Sequence, residues 1–174
     1  RAKTTCDAQA SGVQLVNAER TALVFVIGSG ADQGSFTAGT EFPIDGPLAM
    51  AQAVRERRPV QIEDLKDTDL YRQGHALRVQ LVDEEGVRTQ VSVPLVKNDV
   101  AIGNMTRSRI EQRAFSADEI ALVEAFAAQA VIAIDNARQF RDLQFANAEL
   151  RVRLDREEAM AEILSVISRA GAGS

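Results

Sequence analysis

His75 is the only histidine and Cys6 the only cysteine in 174 residues. Histidine titrates near neutrality and ligates haem-type iron, so His75 is the one candidate for proton transfer or iron ligation. A Ser-His-acid grouping cannot be argued from this lone imidazole. Cys6 alone excludes an intramolecular disulfide and a multi-cysteine metal site. It also cannot run thiol exchange by itself. No glycine-rich phosphate loop occurs. The expectation is a chain with no catalytic residues and no metal site.

The remaining candidates suit binding. Tyr71 offers either one hydroxyl over a pocket or a packing aromatic. Asn104 stands inside a strand; if it is buried its amide needs a partner, because an unpaired one costs about 1–3 kcal/mol. The alternative is an edge position with the amide in water. Val91 and Val93 share one face of a strand and are taken as apolar lining of the same pocket. Arg107, Arg109 and Arg113 form a local basic stretch that reads as a solvated turn. The net charge of −5 and the absence of a basic cluster argue against nucleic acid. No apolar run approaches the 18 residues or so needed to span a bilayer. A reducing, cytoplasmic setting is expected.

These side chains need a scaffold. Residues 7–18 read as a weak helix containing Gly12. TALVFVI (21–27) is a continuous apolar run, expected to be a strand buried on both faces. GSGADQG (28–34) is turn chemistry, and a short strand around Ser35–Gly39 would return as a hairpin. Pro47 suits a first helical turn, and a short helix follows to Arg57. PVQI (59–62) and the alternating TQVSVPL (89–95) read as strands. The 63–86 stretch between them reads as loops around one or two short helices. Lys97, Asn98 and Asp99 separate two apolar arms, a hairpin signal. Five or six mostly antiparallel strands with interspersed helices make an α+β layout.

From Ala117 to about Arg169 there is no Pro or Gly. Ser116 and Glu119 form a capping box, and Gly171 is a stop. A helix of that extent reaches ~80 Å. Residues 120–137 are apolar nearly all round, which asks for cover by the sheet and by a partner. Beyond them Phe140, Leu143, Asn147, Leu150, Leu154, Ala161 and Leu164 recur at spacings of three and four, with Glu157 the one poor member. That is the seam of a parallel coiled coil, and Phe126 and Ala133 are assigned to the same dimer interface. Asn147 at an a position fixes register, and Arg153 faces Glu158 of the partner.

RRPVQIEDL (57–65), GVRTQVSVPLV (86–96), IG (102–103) and AFSADEIALVEAFAAQAVIAIDNARQF (114–140) resemble the GAF domains of bacterial sensory kinases and nucleotide cyclases. The resemblance covers about residues 13–140. It implies a GAF/PAS-like central antiparallel sheet of five or six strands, helices on both faces, and a long C-terminal coiled-coil helix. It implies residues 1–140 as a sensory domain and 141–174 as a signalling linker toward a downstream domain. Family ligands include cyclic nucleotides, tetrapyrroles, haem and small metabolites, and no cofactor is assigned. Bilin-binding relatives carry a Cys-His pair, but here Gly74 stands in the cysteine place beside His75. Cyclic-nucleotide relatives carry Asn-Lys, then Phe and Asp-Glu. Lys97 and Asn98 have the reverse order, while Phe115, Asp118 and Glu119 echo the rest. The expected function is a regulatory sensor that dimerises and relays a signal to an output kinase or cyclase. The alternative is a ligand-free dimerisation or interaction scaffold.

Overall fold

The computed structural model describes residues 10–30 and 36–173. Six strands form one antiparallel sheet: β1 (Ala10–Val16), β2 (Ala22–Ser29), β3 (Glu41–Pro43), β4 (Val60–Ile62), β5 (Thr89–Lys97) and β6 (Val100–Arg109), in the order β3-β2-β1-β6-β5-β4. Among the described residues the helices are α1 (Ala49–Glu56), α2 (Asp69–Arg72), α3 (Ala76–Val79) and α4 (Ala117–Gly171), with a π-helical turn at Gln80–Glu84. The chain divides into two units after Val131. No described helix is long and apolar enough to cross a membrane.

Strands β5 and β6 meet where the sequence predicts a hairpin. Asn98 and Asp99 have φ of 49° and 61°, the left-handed pair that a two-residue turn demands and that Asn and Asp accept most readily. The capping box also forms. The Ser116 backbone N–H donates to Glu119 Oε2 at 2.8 Å, and the Glu119 N–H donates to Ser116 Oγ at 3.1 Å.

Three expectations are corrected. The described part of the 7–18 stretch is not a helix: Ala10–Val16 is a central strand between β2 and β6. Backbone pairing on both sides outweighs a weak helical pattern that contained a glycine. The strand pairing with β2 is Glu41–Pro43, not Ser35–Gly39; Phe36–Thr40 is irregular, and Ser35, with 31–34 of the turn before it, lies outside the described residues. The 21–27 run is not buried on both faces, since Val26 and Ile27 are 45% and 63% exposed.

Register separates the two faces of the sheet. Gln14, Phe25, Ser92, Asn104 and Thr106 belong to one, and Val13, Ile27, Val93 and Met105 to the other. The first face carries the main core. Leu23, Phe25, Phe42, Met50, Ala51 and Val54 cluster there under α1. Phe36 bridges the rings, 5.7 Å from Phe25 and 5.4 Å edge-on to Phe42. A second cluster of Leu65, Leu81, Val82 and Val87 seats the 63–86 segment. The opposite face meets the first turns of α4, whose buried stripe is Val123, Ala127 and Val131.

Candidate functional site

The site is the polar part of the first sheet face and the segment that covers it. Gln14, Gln90, Ser92, Asn104, Thr106 and Ser108 are all buried. They lie on β1, β5 and β6, and alternation along each strand puts them on one side. Asn104 Nδ2 donates to Gln14 Oε1 at 3.0 Å and to Thr106 Oγ1 at 2.9 Å. Thr106 Oγ1 donates to Gln14 Oε1 at 3.4 Å, and Gln90 Nε2 to Ser108 Oγ at 3.4 Å. Two atoms of this floor, Asn104 Oδ1 and Ser92 Oγ, are buried without a partner.

Phe36, Phe42, Met50, Leu77 and Leu81 wall an enclosed cavity above Gln14, Gln90 and Thr106. Its volume is about 10 Å³, room for about one water molecule. The lid is residues 63–86. At its start Arg88 grips Asp64 with two bonds, Nε to Oδ1 at 2.8 Å and Nη2 to Oδ2 at 2.6 Å. That hydrogen bonding holds the Asp64 carboxyl below its ordinary pKa. The lid closes where the Val87 N–H donates to the Leu81 carbonyl at 2.8 Å.

The ligand-contact residues expected from sequence divide. Asn104, fully buried, lies on the cavity's side of the sheet, bonded to Gln14 and Thr106, but is not among the residues that line the cavity. His75 caps the start of α3 without a side-chain bond, and its Nδ1 is buried with no partner. The Tyr71 hydroxyl does not serve the cavity, because it donates to Asp83 Oδ1 at 2.9 Å, and that carboxylate raises the phenol above its ordinary pKa. Val91 and Val93 are buried on the other side of the sheet: Val91 pairs with Arg107 and Val93 with Met105, and Val93 shares a groove with Ala127 and Ala128 of α4. Alternation had grouped them correctly, but the cavity floor is the polar set of β5, not the apolar one.

Sequence reasoning missed Gln14, Gln90 and Arg78. Arg78 is 1% exposed. Its signal was an isolated cation inside HALRVQLV (75–82), an otherwise largely apolar segment.

Other candidates have structural duties. Arg109 is not a solvated turn residue: it is 1% exposed, its Nη2 donates to Glu119 Oε1 at 3.0 Å, and its guanidinium stacks 3.7 Å from the Phe115 ring centroid. Phe115 and Glu119 are thereby occupied, and Lys97 and Asn98 sit at the β5–β6 turn. Arg107 lies 6.0 Å from the Phe126 ring. Those two share an open groove of about 430 Å³ with Val13, Ile27 and Met105. Cys6 lies outside the described residues. Among the described residues no group of three or more His, Cys, Asp or Glu is placed to hold a metal.

A six-stranded antiparallel sheet with short helices over one face and the first turns of a long helix against the other is an α+β architecture. The family model described as "GAF domain" matches residues 1–135, and the chain belongs to that family. Comparison with curated proteins gives no match. Similar solved structures include the GAF-B domain of DevS from Mycobacterium smegmatis, with 22% identity and TM-score 0.58, over 78% of this chain and 86% of that one. The GAF domain of a two-component sensor histidine kinase from Bacillus halodurans has 18% identity and TM-score 0.62, over 78% and 86%. The GAF domain from an Acinetobacter phosphoenolpyruvate-protein phosphotransferase has 12% identity and TM-score 0.61, over 78% and 75%. At these identities the likeness concerns the fold.

Proposed function

We propose that this chain is a regulatory sensing domain that works as a parallel homodimer and passes the state of its cavity along α4 to an output kinase or cyclase domain. The observation that carries the reading is the seam on α4. Phe140, Leu143, Leu150, Leu154 and Leu164 are 54–63% exposed; Asn147 and Ala161 between them, and Ala133 one heptad before Phe140, are exposed as well. Apolar residues at heptad spacing are what a second helix covers, and Phe145, Val152, Met160, Ile163, Val166 and Ile167 beside the seam are exposed as well. Phe126, 45% exposed, lies one heptad before Ala133 and extends the stripe toward the domain. A ligand shifts such an output only by binding two arrangements unequally. Here the two arrangements are alternative packings of the paired helices, with Asn147 and Glu157 the weak layers.

The small cavity volume favours one second reading, a ligand-free dimerisation scaffold. Native mass spectrometry of the purified chain separates the two: a retained small molecule supports the sensor, and an empty dimer supports the scaffold. The seam itself is tested by Asn147→Leu. Removing the buried amide is expected to tighten the dimer several-fold and raise its melting temperature. Sedimentation equilibrium that finds association unchanged overturns the seam.

A further inference from the structure

One end of the sheet gathers cations that no carboxylate answers. Asn17 fixes the β1–β2 turn: its Oδ1 accepts the Thr21 and Ala22 N–H groups at 2.8 and 3.2 Å, and Arg20 stands in that turn with φ of 56°. Arg20 Nη2 donates to the Ala101 carbonyl oxygen of β6 at 3.1 Å. Arg57 caps the end of α1 with φ of 54°, and its Nη1 donates to the Asp99 carbonyl oxygen in the β5–β6 turn at 2.9 Å. Arg55, in the last turn of α1, donates from Nη1 to the Ile44 and Gly46 carbonyl oxygens at 2.6 and 2.9 Å. The three arginines line one open cleft of about 440 Å³, and Asp99 is the one acidic residue that lines it with them.

Each guanidinium is thus tied to the backbone through one nitrogen, and no ion pair engages any of the three among the described residues. A backbone carbonyl fixes a guanidinium in place without cancelling its charge. Glu56, between Arg55 and Arg57 in sequence, is bonded instead to Arg58 and Gln52. A guanidinium has five N–H donors in a planar fork, so each arginine keeps two nitrogens without a protein partner. Arginines already held in place lose less side-chain freedom when an anion arrives. Three cations less one carboxylate leave two positive charges for a ligand to answer. We propose that this cleft binds a small polyanion, a molecule with two or more phosphate or carboxylate groups, through Arg20, Arg55 and Arg57. Both groups accept the paired N–H bonds of an arginine fork. The cleft shares no lining residue with the enclosed cavity, and the proposal stands apart from the α4 seam.

The test uses the full chain as wild type, Arg20→Gln and Arg57→Gln. Backbone amide spectra are recorded with pyrophosphate and with citrate, each against sodium chloride at equal ionic strength so that general screening cancels. One or both polyanions should shift amides of 17–22, 44–46 and 97–101 in the wild type and reach saturation. Each variant should weaken that binding about tenfold, the loss of a charge-assisted bond. Tighter binding of pyrophosphate assigns phosphate, and tighter binding of citrate assigns carboxylate. Shifts no larger than those from sodium chloride, or centred outside these three segments, overturn the proposal. So does binding of undiminished strength in both variants. Should a variant fail to fold, the location and saturation of the wild-type shifts decide alone.

Discussion

Arg78 and Arg109 are each 1% exposed and each keeps a buried Nε without an acceptor, yet only Arg109 meets a carboxylate among the described residues. Arg109 closes the end of β6 onto the start of α4. Glu119 takes its Nη2, Phe115 lies under its plane, and the Arg113 carbonyl oxygen is 3.4 Å from Nη1. Arg78, in the lid, has one hydroxyl. The first is a clasp whose charge is answered inside the fold. The second is a buried charge with a neutral hydroxyl and no counter-ion among the described residues. Folding alone favours the first arrangement, because an unanswered cation lowers stability wherever it is buried. The same division separates the two sheet faces. One keeps buried polar groups with two atoms unsatisfied, and the other keeps apolar side chains such as Ile27 and Phe126 exposed. Unsatisfied buried polar atoms call for a hydrogen-bond partner, water included, and exposed apolar area is the kind of surface a partner covers.

The largest expected effect comes from turning the clasp into a second lid. Glu119→Ala leaves Arg109 buried without a carboxylate and also removes the acceptor for the Ser116 N–H. The expected cost is about 3 kcal/mol in urea denaturation. A cost below about 1 kcal/mol would mean that unpaired buried arginine is cheap in this fold, and the contrast with Arg78 would lose its meaning.

Acid should separate the two arginines next. Burial raises the Glu119 pKa, but the Ser116 N–H and the Arg109 and Arg113 guanidiniums outweigh it, and the net direction is downward. Asp64 is lowered by Arg88 in the same way. A depressed carboxyl contributes stability that is fully present above its unfolded value of about 4 and is lost as pH falls through the folded value. Melting temperature should therefore hold from neutrality to about pH 5 and fall below about pH 4. Glu119→Gln should flatten part of that fall. Arg78→Met should keep the wild-type profile, because among the described residues no carboxylate pairs with Arg78. A flattened profile in Arg78→Met would reveal a hidden carboxyl partner.

Much of this frame was legible in the sequence because its signals are local. The Ser116–Glu119 box, the Asn98–Asp99 turn and the unbroken α4 each follow from a few adjacent residues. What was illegible depends on residues distant in the chain. β1 contains Gly12 and a buried glutamine, and only pairing with β2 and β6 makes it a strand. Gln14 reads as a surface residue until Asn104, ninety positions later, meets it. Val91 and Val93 were paired correctly by alternation, but alternation says which residues share a side and not which side holds the cavity. Arg78 and Arg109 look alike in composition, and only the arrival of Glu119 at one of them sets them apart.

The smallest effect tests whether the floor is a structural network or a surface kept for a ligand. Ser92 is fully buried and its hydroxyl has no partner among the described protein groups. Ser92→Ala removes that hydroxyl and should change stability by no more than about 0.5 kcal/mol, toward stabilisation. Thr106 sits on the same face with its hydroxyl bonded to both Gln14 and Asn104, and Thr106→Val should cost about 1 kcal/mol or more. If both substitutions cost the same, the Ser92 hydroxyl is satisfied within the protein and the floor is a closed network. If the predicted difference appears, unsatisfied polarity is concentrated at Ser92 and Asn104 Oδ1, beneath the lid that also carries the unbalanced Arg78.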